Sequence, residues 1–208
     1  MEIVQIPVGR MGNLSYMLYD AENRNAALID VSWEPGKLSD FIKDKKLNLR
    51  TVLLTHGHFD HTNAVPEILK IFPGTAVYMR KEDENLPQEK FSFRQLEDGA
   101  QVPEMPEIKM MLTPGHTGGS VCYLADGALF TGDTLFTGCC GRIDFPESVP
   151  DKMYDTLRLI SKLPGQLKVY PGHSYGGCES TIEHERLTNE YLKAASAMGR
   201  IDFLRLLL

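Results

Sequence analysis

Short apolar runs alternate with amphipathic stretches along the first half of the chain, which predicts strands separated by helices. Strands are expected at five apolar runs: residues 3–8, 14–19, 26–30, 52–54 and 75–79. Helices are expected at 37–46 and at 65–72, where apolar side chains recur at helical spacing, and Pro73-Gly74 ends the second of them.

The second half continues in the same style. Apolar runs predict four strands, at 108–112, 121–125, 128–131 and 167–170, and one helix at 153–160. Asp126-Gly127 is a hairpin signal, because both turn positions tolerate positive φ. Ser180 and Glu183 have the spacing of a capping box, which predicts a single helix from there through Met198.

The two halves share a rhythm of two strands followed by a helix, which suggests two sheets with helices on their outer faces. Residues 81–102 are charged and weakly patterned, so we expect a surface insertion with one short helix. No Gly/Ser linker interrupts the chain. Residues 1–208 are therefore expected to form a single domain, with 179–208 as a C-terminal helical tail.

Charge and composition narrow the classes of function. The 22 Lys and Arg residues against 28 Asp and Glu give a formal net charge of -6, which argues against a protein that holds nucleic-acid phosphates over a broad surface. No apolar run has the length of a membrane span, and the first ten residues lack the features of an export signal. The four cysteines resemble no disulfide framework. We therefore expect a cytoplasmic protein with no nucleic-acid or membrane partner.

One segment concentrates the candidate chemistry. It holds three imidazoles and a carboxylate within six residues: His56, His58, Asp60 and His61. Neutral imidazole nitrogens and carboxylates are preferred ligands of divalent first-row metals. His56 and His58 can point the same way in an extended turn, whereas Asp60 and His61 diverge from them. The spacing therefore favours two metal ions over one.

Three further residues of ligand type stand just past the ends of predicted strands. They are His116, Asp133 and His173, and each has a glycine beside it that permits a tight turn and a close backbone approach. Strand ends gathered at one edge of a sheet form a rigid scaffold for a site. The sixth histidine, His184, lies in a predicted helix without such a context and is left out of the site.

The seven donors are sufficient for two metal sites. They divide into His56, His58 and His116 for one ion and Asp60, His61 and His173 for the other, with Asp133 as a bridge. Two metals held this way would lie about 3.5–4 Å apart and share a water that ionises near neutral pH. A bridging hydroxide is a nucleophile, so the donors indicate hydrolysis of a carbonyl or phosphoryl group. Asp60 could orient that hydroxide or take its proton.

The order of the motifs resembles the metallo-β-lactamase superfamily. The motifs are Thr-His-x-His-x-Asp-His at 55–61, Gly-His-Thr at 115–117, Thr-Gly-Asp-Thr-Leu-Phe at 131–136 and Pro-Gly-His at 171–173. Within it, the chain is similar to short single-domain members of the glyoxalase II (hydroxyacylglutathione hydrolase) group. The resemblance implies an α/β fold, an αββα sandwich of two mixed β-sheets with outer helices. It also implies two divalent metal ions, zinc before iron or manganese, and hydrolysis of a small S-2-hydroxyacylglutathione-like thioester.

The same resemblance implies two substrate-binding residues. Arg142 matches a basic residue that holds the glycine carboxylate of glutathione, and Tyr175 matches a tyrosine that contacts glutathione. Ile143-Asp144 departs from the pattern, because the group has an aromatic residue there. Only about 35 residues follow His173, too few for the separate helical domain that holds the tripeptide in larger members. The identity of the thiol carrier therefore stays open.

Other activities would use a similar site. A persulfide dioxygenase with one iron is similar around 141–145 and needs ligands of the His56, His116 and Asp133 type, and lactone or ester hydrolysis would use the same hydroxide. Lactamases carry a cysteine ligand or lack the Asp133-type bridge, so that activity is not favoured. A tRNA-processing phosphodiesterase would need a basic arm, whereas 81–102 holds several acids. A non-enzymatic scaffold would be expected to have lost a ligand, and all seven are present.

Two features lie outside the ligand set. Cys139 and Cys140 are interpreted as buried small hydrophobic residues rather than a redox pair, because nothing adjacent would clearly lower a thiol pKa. The final run, 201–208, is apolar for a chain end. It indicates either docking onto the body of the protein or a homo-oligomer contact through the tail.

Overall fold

The first five strands pair in sequence order. The computed structural model describes residues 1–207 and places five strands in the first sheet: β1 (Glu2–Val8), β2 (Asn13–Tyr19), β3 (Asn25–Ile29), β4 (Asn48–Leu53) and β5 (Ala76–Tyr78). The first three are antiparallel, whereas β4 and β5 are added in parallel. Parallel addition needs crossovers. These are α1 (Pro35–Asp44) after β3, then α2 (Phe59–Thr62) and α3 (Val65–Ile71) after β4.

The second sheet contains six strands in the order β11-β10-β9-β8-β7-β6. They are β6 (Gln101–Val102), β7 (Met105–Leu112), β8 (Val121–Ala125), β9 (Ala128–Gly132), β10 (Lys168–Pro171) and β11 (Ser180–Thr181). Only β9 and β10 are parallel within this described sheet, and α4 (Pro150–Ile160) forms their crossover. The predicted hairpin at Asp126-Gly127 is confirmed, with φ of 47° and 74° at the two turn positions.

Side chains that alternate along each strand build three layers of core. In β2, Met17 faces a cluster that contains Leu38 and Ile68 of the helices on one side, while Leu18 faces the second sheet. On the far side of the second sheet, Leu129 packs with Leu157 of α4. Each sheet is thus buried on both faces. This arrangement confirms the predicted αββα sandwich of two mixed sheets with outer helices.

The C-terminal tail differs from its prediction. It contains three helices, α5 (Ile182–Thr188), α6 (Glu190–Ala197) and α7 (Arg200–Leu207), and it begins with β11, so it is not wholly helical. The single helix through Met198 is wrong, because Asn189 is extended and its side chain caps α6. The capping box at Ser180 is also wrong by one position. Thr181 caps α5 and accepts the backbone N–H of His184.

The tail docks onto the body of the protein. Phe203 of α7 is fully buried and its ring lies 5.4 Å from that of Tyr154 in α4. The predicted apolar run at 201–208 therefore packs through Phe203, with Leu204 and Leu207 partly buried against the same core. Ile201 and Leu206 stay exposed, and Leu208 lies outside the described residues. No helix within residues 1–207 is long and apolar enough to cross a membrane.

The segment 81–102 is more than a surface insertion. Its one short helix is a 3-10 helix, Lys81–Asp83, and most of the remainder is irregular. Asp83 is fully buried and accepts hydrogen bonds from the backbone N–H groups of Gly57 and Gly119 and from the hydroxyl of Thr117. A single carboxylate therefore joins the loop that carries His56 and His58 to the loop that carries His116.

Candidate metal centre

The structure brings all seven predicted donors together between the two sheets. Their donor atoms form three overlapping groups, within each of which all atoms lie within 4.8 Å of one another: His56/His58/His116, His56/His61/Asp133 and Asp60/His61/His173. The loop after β4 supplies four of these residues. The loops after β7, β9 and β10 each supply one. The prediction that the donors would meet at strand ends is confirmed.

Local backbone geometry aims these side chains. The four-residue helix α2 starts directly after His58, so Asp60 and His61 leave the chain in a different direction from His56. Gly172 allows the loop after β10 to approach closely, because a Cβ there would lie 2.5 Å from Oδ1 of Asp133. Gly132 has a φ of +49°, which favours glycine.

Each of the five imidazoles turns one nitrogen outward to an oxygen atom. The five pairs are His56 Nδ1 to Thr55 Oγ1 (3.1 Å), His58 Nε2 to Glu147 Oε1 (2.6 Å), His61 Nδ1 to Asp30 Oδ2 (2.8 Å), His116 Nδ1 to the Arg142 carbonyl (2.8 Å) and His173 Nδ1 to the Met11 carbonyl (3.0 Å). Carbonyl and carboxylate oxygens only accept, and the Thr55 hydroxyl donates to Asp30. The outer nitrogens therefore carry protons.

The inner nitrogens then face one another as acceptors in the neutral imidazoles. Nδ1 of His58 lies 3.0 Å from Nε2 of both His56 and His116, and Nε2 of His61 lies 3.2 Å from Nε2 of His173. Oδ1 of Asp133 is buried and accepts no hydrogen bond, although Nε2 of His61 is only 3.2 Å away. Facing lone pairs repel unless a cation or a proton lies between them. Nitrogen and carboxylate donors in this arrangement fit divalent metal ions.

The two parts of the centre differ in charge. Burial lowers the pKa of both His56 and His116, which keeps these imidazoles neutral and able to ligate. Burial also acts to lower the pKa of His173, but hydrogen bonds to Asp133 and Asp60 outweigh it and raise that pKa to about 9. For Asp60, burial acts to raise the pKa, but the hydrogen bond from His173 and the charge of His61 outweigh it, leaving a pKa of about 2. The two carboxylates thus favour the charged form of His173, whereas burial favours the neutral forms of His56 and His116.

Sequence reasoning missed the residues that hold the donors in place. Asp30 accepts hydrogen bonds from the backbone N–H and the hydroxyl of Thr55 and from Nδ1 of His61. It follows the end of β3, so the strand-end rule that found Asp133 could have found it. Asn13 donates to the carboxylate and the carbonyl of Asp60, both at 3.0 Å. No local pattern marked Asn13.

A cavity of about 370 Å³ opens onto the centre. Arg142 and Tyr175, the predicted substrate-binding residues, both line it. The ring of Tyr175 stacks on that of His173 with centroids 4.6 Å apart. The guanidinium of Arg142 lies over the ring of Phe145 and makes two hydrogen bonds to the carboxylate of Asp144, at 2.7 and 2.9 Å. Arg142, the cation predicted to bind substrate at the mouth of the cavity, is therefore already paired with Asp144.

Residues set aside from the site stay outside it. His184 is exposed on α5 and belongs to none of the donor groups. Cys139 and Cys140 are free and half-buried rather than fully buried as predicted. Burial raises the pKa of the Cys140 thiol to about 12, which disfavours thiolate chemistry there.

Residues 8–173 match the family model described as the metallo-beta-lactamase superfamily. The probable polyketide biosynthesis zinc-dependent hydrolase PksB of Bacillus subtilis is 37% identical over 169 residues, which cover 79% of this chain and 74% of that protein. A hydroxyacylglutathione hydrolase of Alkalilimnicola ehrlichii is 37% identical over 205 residues, covering 96% of this chain and 78% of that protein.

A solved structure gives the same picture of the fold. The crystal structure of ETHE1 from Myxococcus xanthus has a TM-score of 0.85 against this chain at 27% identity. The match covers 100% of this chain and 90% of that chain. The likeness therefore extends beyond the sheets and the metal-ligand motifs to the C-terminal helices.

Proposed function

The chain belongs to the metallo-β-lactamase superfamily, and on that basis we propose that it is a binuclear metal-dependent hydrolase that cleaves a thioester of the S-2-hydroxyacylglutathione type. The observation that carries the proposal is the set of five imidazoles whose outer nitrogens are all held by acceptors while the inner ones converge. Similarity to hydroxyacylglutathione hydrolases and to a zinc-dependent hydrolase supports the reaction class and zinc as the metal.

The proposed division of the donors between two ions is supported by two of the three groups that their atoms form. One ion would be held by His56, His58 and His116, the other by Asp60, His61 and His173, with Asp133 between them. Divalent ions bound in these positions would polarise a carbonyl and lower the pKa of bound water, which would supply a hydroxide near neutral pH. The proposed bridging role of Asp133 is supported by its two oxygens, which lie 3.6 Å from Nε2 of His116 in one proposed site and 3.2 Å from Nε2 of His61 in the other.

Asp60 is the proposed catalytic carboxylate. Its Oδ2 faces Nε2 of His173 at 3.3 Å and accepts a hydrogen bond from Asn13, so the carboxylate is fixed at the floor of the cavity. There it would orient the attacking water and take its proton. Asn13 is itself held by a hydrogen bond from the indole N–H of Trp33 at 2.8 Å. The orientation of Asp60 thus depends on packed side chains rather than on a flexible loop.

The cavity is suited to a small thioester. Phe136, Phe145 and Tyr175 supply apolar and aromatic walls on which an acyl group or a thiol arm could lie. Arg142 would have to exchange its bonds with Asp144 for a carboxylate of the substrate. Because of this exchange, thioesters of glutathione should be tested beside thioesters of neutral thiols.

The test combines metal content with turnover. Protein purified without chelator should contain about two metal ions per chain by mass spectrometry and should hydrolyse S-lactoylglutathione or a related thioester. His61→Ala should retain one ion and lose most of the rate, because His61 is assigned to the proposed site with Asp60 and His173, while His56, His58 and His116 stay in place for the other ion. His184→Ala is the matched control, since this histidine is exposed and distant from the donor groups.

Two results would reassign the activity. One iron per chain, no thioester cleavage and oxygen uptake with glutathione persulfide would identify a persulfide dioxygenase. Cleavage of lactones or simple esters by a protein that leaves thioesters intact would identify a lactone or ester hydrolase that uses the same donors.

A further inference from the structure

Glu147 lies at the junction of the two loops that carry the His56/His58/His116 group. Its carboxylate is 2.6 Å from Nε2 of His58, and the two side chains are only 26% and 17% exposed. Glu147 and the next residue, Ser148, both bind the loop that carries His116. Its carbonyl accepts the N–H of Gly118 at 3.1 Å, and the hydroxyl of Ser148 donates to the carbonyl of His116 at 2.7 Å.

We propose that Glu147 is a positioning residue for His58, the carboxylate that determines which nitrogen of this imidazole faces the centre. The inference rests on metal binding by the donors of the proposed function. A carboxylate that accepts Nε2–H leaves Nδ1 deprotonated and aimed at the nitrogens of His56 and His116. A carboxylate in this place also makes the imidazole a stronger ligand.

Glu147 has a counterpart in the other part of the centre, which supports this role. Asp30 binds Nδ1 of His61 in the same manner at 2.8 Å. Among the outer nitrogens of the five imidazoles, those of His58 and His61 have carboxylate partners, while the others are held by backbone carbonyls or a hydroxyl. Each proposed metal site therefore contains one histidine oriented by a carboxylate.

The two carboxylates differ in setting. Asp30 is almost wholly buried and also secures Thr55, whereas Glu147 lines the cavity and makes no other side-chain hydrogen bond within residues 1–207. His58 has no backbone acceptor for its outer nitrogen. Removing Glu147 should therefore free the His58 imidazole without disrupting the core. The effect on metal binding can then be measured in a protein that still folds.

The experiment measures metal affinity by competition with a chromophoric chelator, using Zn²⁺ alone and no substrate. Glu147→Ala should weaken one of the two binding events by about 10–100-fold and leave the other unchanged. Glu147→Gln should recover part of the loss, because its amide oxygen can accept Nε2–H without the charge. Co²⁺-loaded proteins should show a changed visible spectrum for the alanine variant, since the imidazole is no longer held.

Three controls make the outcome decisive. Glu107→Ala removes an exposed acid on β7 that belongs to none of the donor groups, and this variant should bind zinc as wild type does. His58→Ala should show the full loss of one binding event, and thermal unfolding of the metal-free variants should show that each folds. Wild-type affinity in Glu147→Ala would overturn the inference alone, whereas a wild-type protein that binds no metal would overturn the proposed function as well.

Discussion

The orientation of individual imidazoles is set by acceptors that sequence proximity does not reveal. Thr55 illustrates this point. Its hydroxyl donates to Asp30, so its oxygen must be the acceptor in the contact with Nδ1 of His56. Asp30 in turn also accepts from His61. One buried carboxylate therefore influences two ligands. The consequence is that a substitution without a change in size can alter metal binding.

Asp30→Asn tests this influence. The amide group places a donor against the N–H of Thr55 or against Nδ1–H of His61, whichever way it is turned. We expect the free energy of unfolding to fall by about 1–3 kcal/mol, because a buried donor loses its acceptor. We also expect one zinc ion to bind about 10–100-fold more weakly. Urea unfolding and chelator competition measure the two effects.

The control for that variant is Asp40→Asn, at an exposed position on α1. It should match the wild type in both measurements. An Asp30→Asn protein that keeps wild-type stability and both ions would show that the contacts of Asp30 do not orient His61.

Thiol labelling tests the interpretation of the cysteines. Cys178 is exposed, whereas burial raises the pKa of both Cys122 and Cys140 to about 12. N-ethylmaleimide at pH 7 should therefore label Cys178 in the folded protein and reach the other two only after unfolding. Peptide mass spectrometry with time identifies the sites. Labelling of Cys140 as fast as Cys178 would contradict the structural interpretation and favour a reactive thiol near the cavity.

At the scale of elements, the local sequence predicts the strands better than it predicts where helices begin and end. Each donor loop follows a strand whose apolar run is visible in the chain, so the loops were found. Helix α2 was missed because four residues are too few for a helical period. The break between α5 and α6 was missed because Asn189 lies inside a continuous amphipathic pattern, where its capping role depends on tertiary contacts.

Asn189→Ala tests that break. The side chain is fully buried, accepts the N–H groups of Tyr191 and Leu192 and donates to the carbonyl of Cys139 at 3.1 Å. Its loss should lower the free energy of unfolding by about 0.5–2 kcal/mol, because α6 loses its cap. Thermal and urea unfolding measure the change.

Two companion variants interpret the result. Asn189→Ser retains a capping oxygen and should recover part of the loss. Asn85→Ala, at an exposed position with no helix to cap, should unfold as the wild type does. Equal stability of Asn189→Ala and Asn85→Ala would mean that the junction between α5 and α6 does not depend on this cap.

At the scale of the whole molecule, the candidate metal centre lies where the two sheets meet. The first sheet contributes the loop after β4, and the second contributes the loops after β7, β9 and β10. Metal binding should therefore link the halves of the sandwich. It would also relieve the repulsion between converging donors.

Chelation tests this linkage. A ligand that binds only the folded protein stabilises it by about 2.7 kcal/mol when its free concentration is about 100 times its Kd. Removing the metal with a chelator should therefore lower the Tm, and adding zinc back should restore it. The shift should be smaller in His61→Ala, which lacks a donor of one site. An unchanged Tm on metal removal in the wild type would contradict a structural contribution from the centre.

The homo-oligomer predicted from the tail stays a proposal with a direct test. Ile201 and Leu206 are 68% and 47% exposed on α7, whereas Phe203 is buried. We expect light scattering to give a mass above that of one chain, and Ile201→Glu with Leu206→Glu to give the monomer mass. Because both side chains are largely exposed, the double variant should retain its fold. A monomeric wild type would contradict the proposal.

Much of the fold and the seven residues that converge at the candidate metal centre could be predicted from the chain alone, because both depend on local features. Apolar runs located most strands and helices within a few residues, and strand-end residues of ligand type located His116, Asp133 and His173. The motif order indicated the family and with it the αββα arrangement. Such signals are visible in the sequence because a strand or a ligand loop is defined by consecutive residues.

The remaining features depend on distances between residues far apart in the chain. Glu147 is 89 positions from His58, and Asn13 is 47 positions from Asp60, so no pattern along the sequence pairs them. Arg142 and Asp144 are close in sequence, but only the folded loop shows that Asp144 pairs with Arg142, the cation predicted to bind substrate at the mouth of the cavity. The protonation state and direction of each imidazole likewise follow from its acceptor in space. Packing brings that acceptor into place. Only the folded structure therefore shows which nitrogen of each imidazole faces the centre.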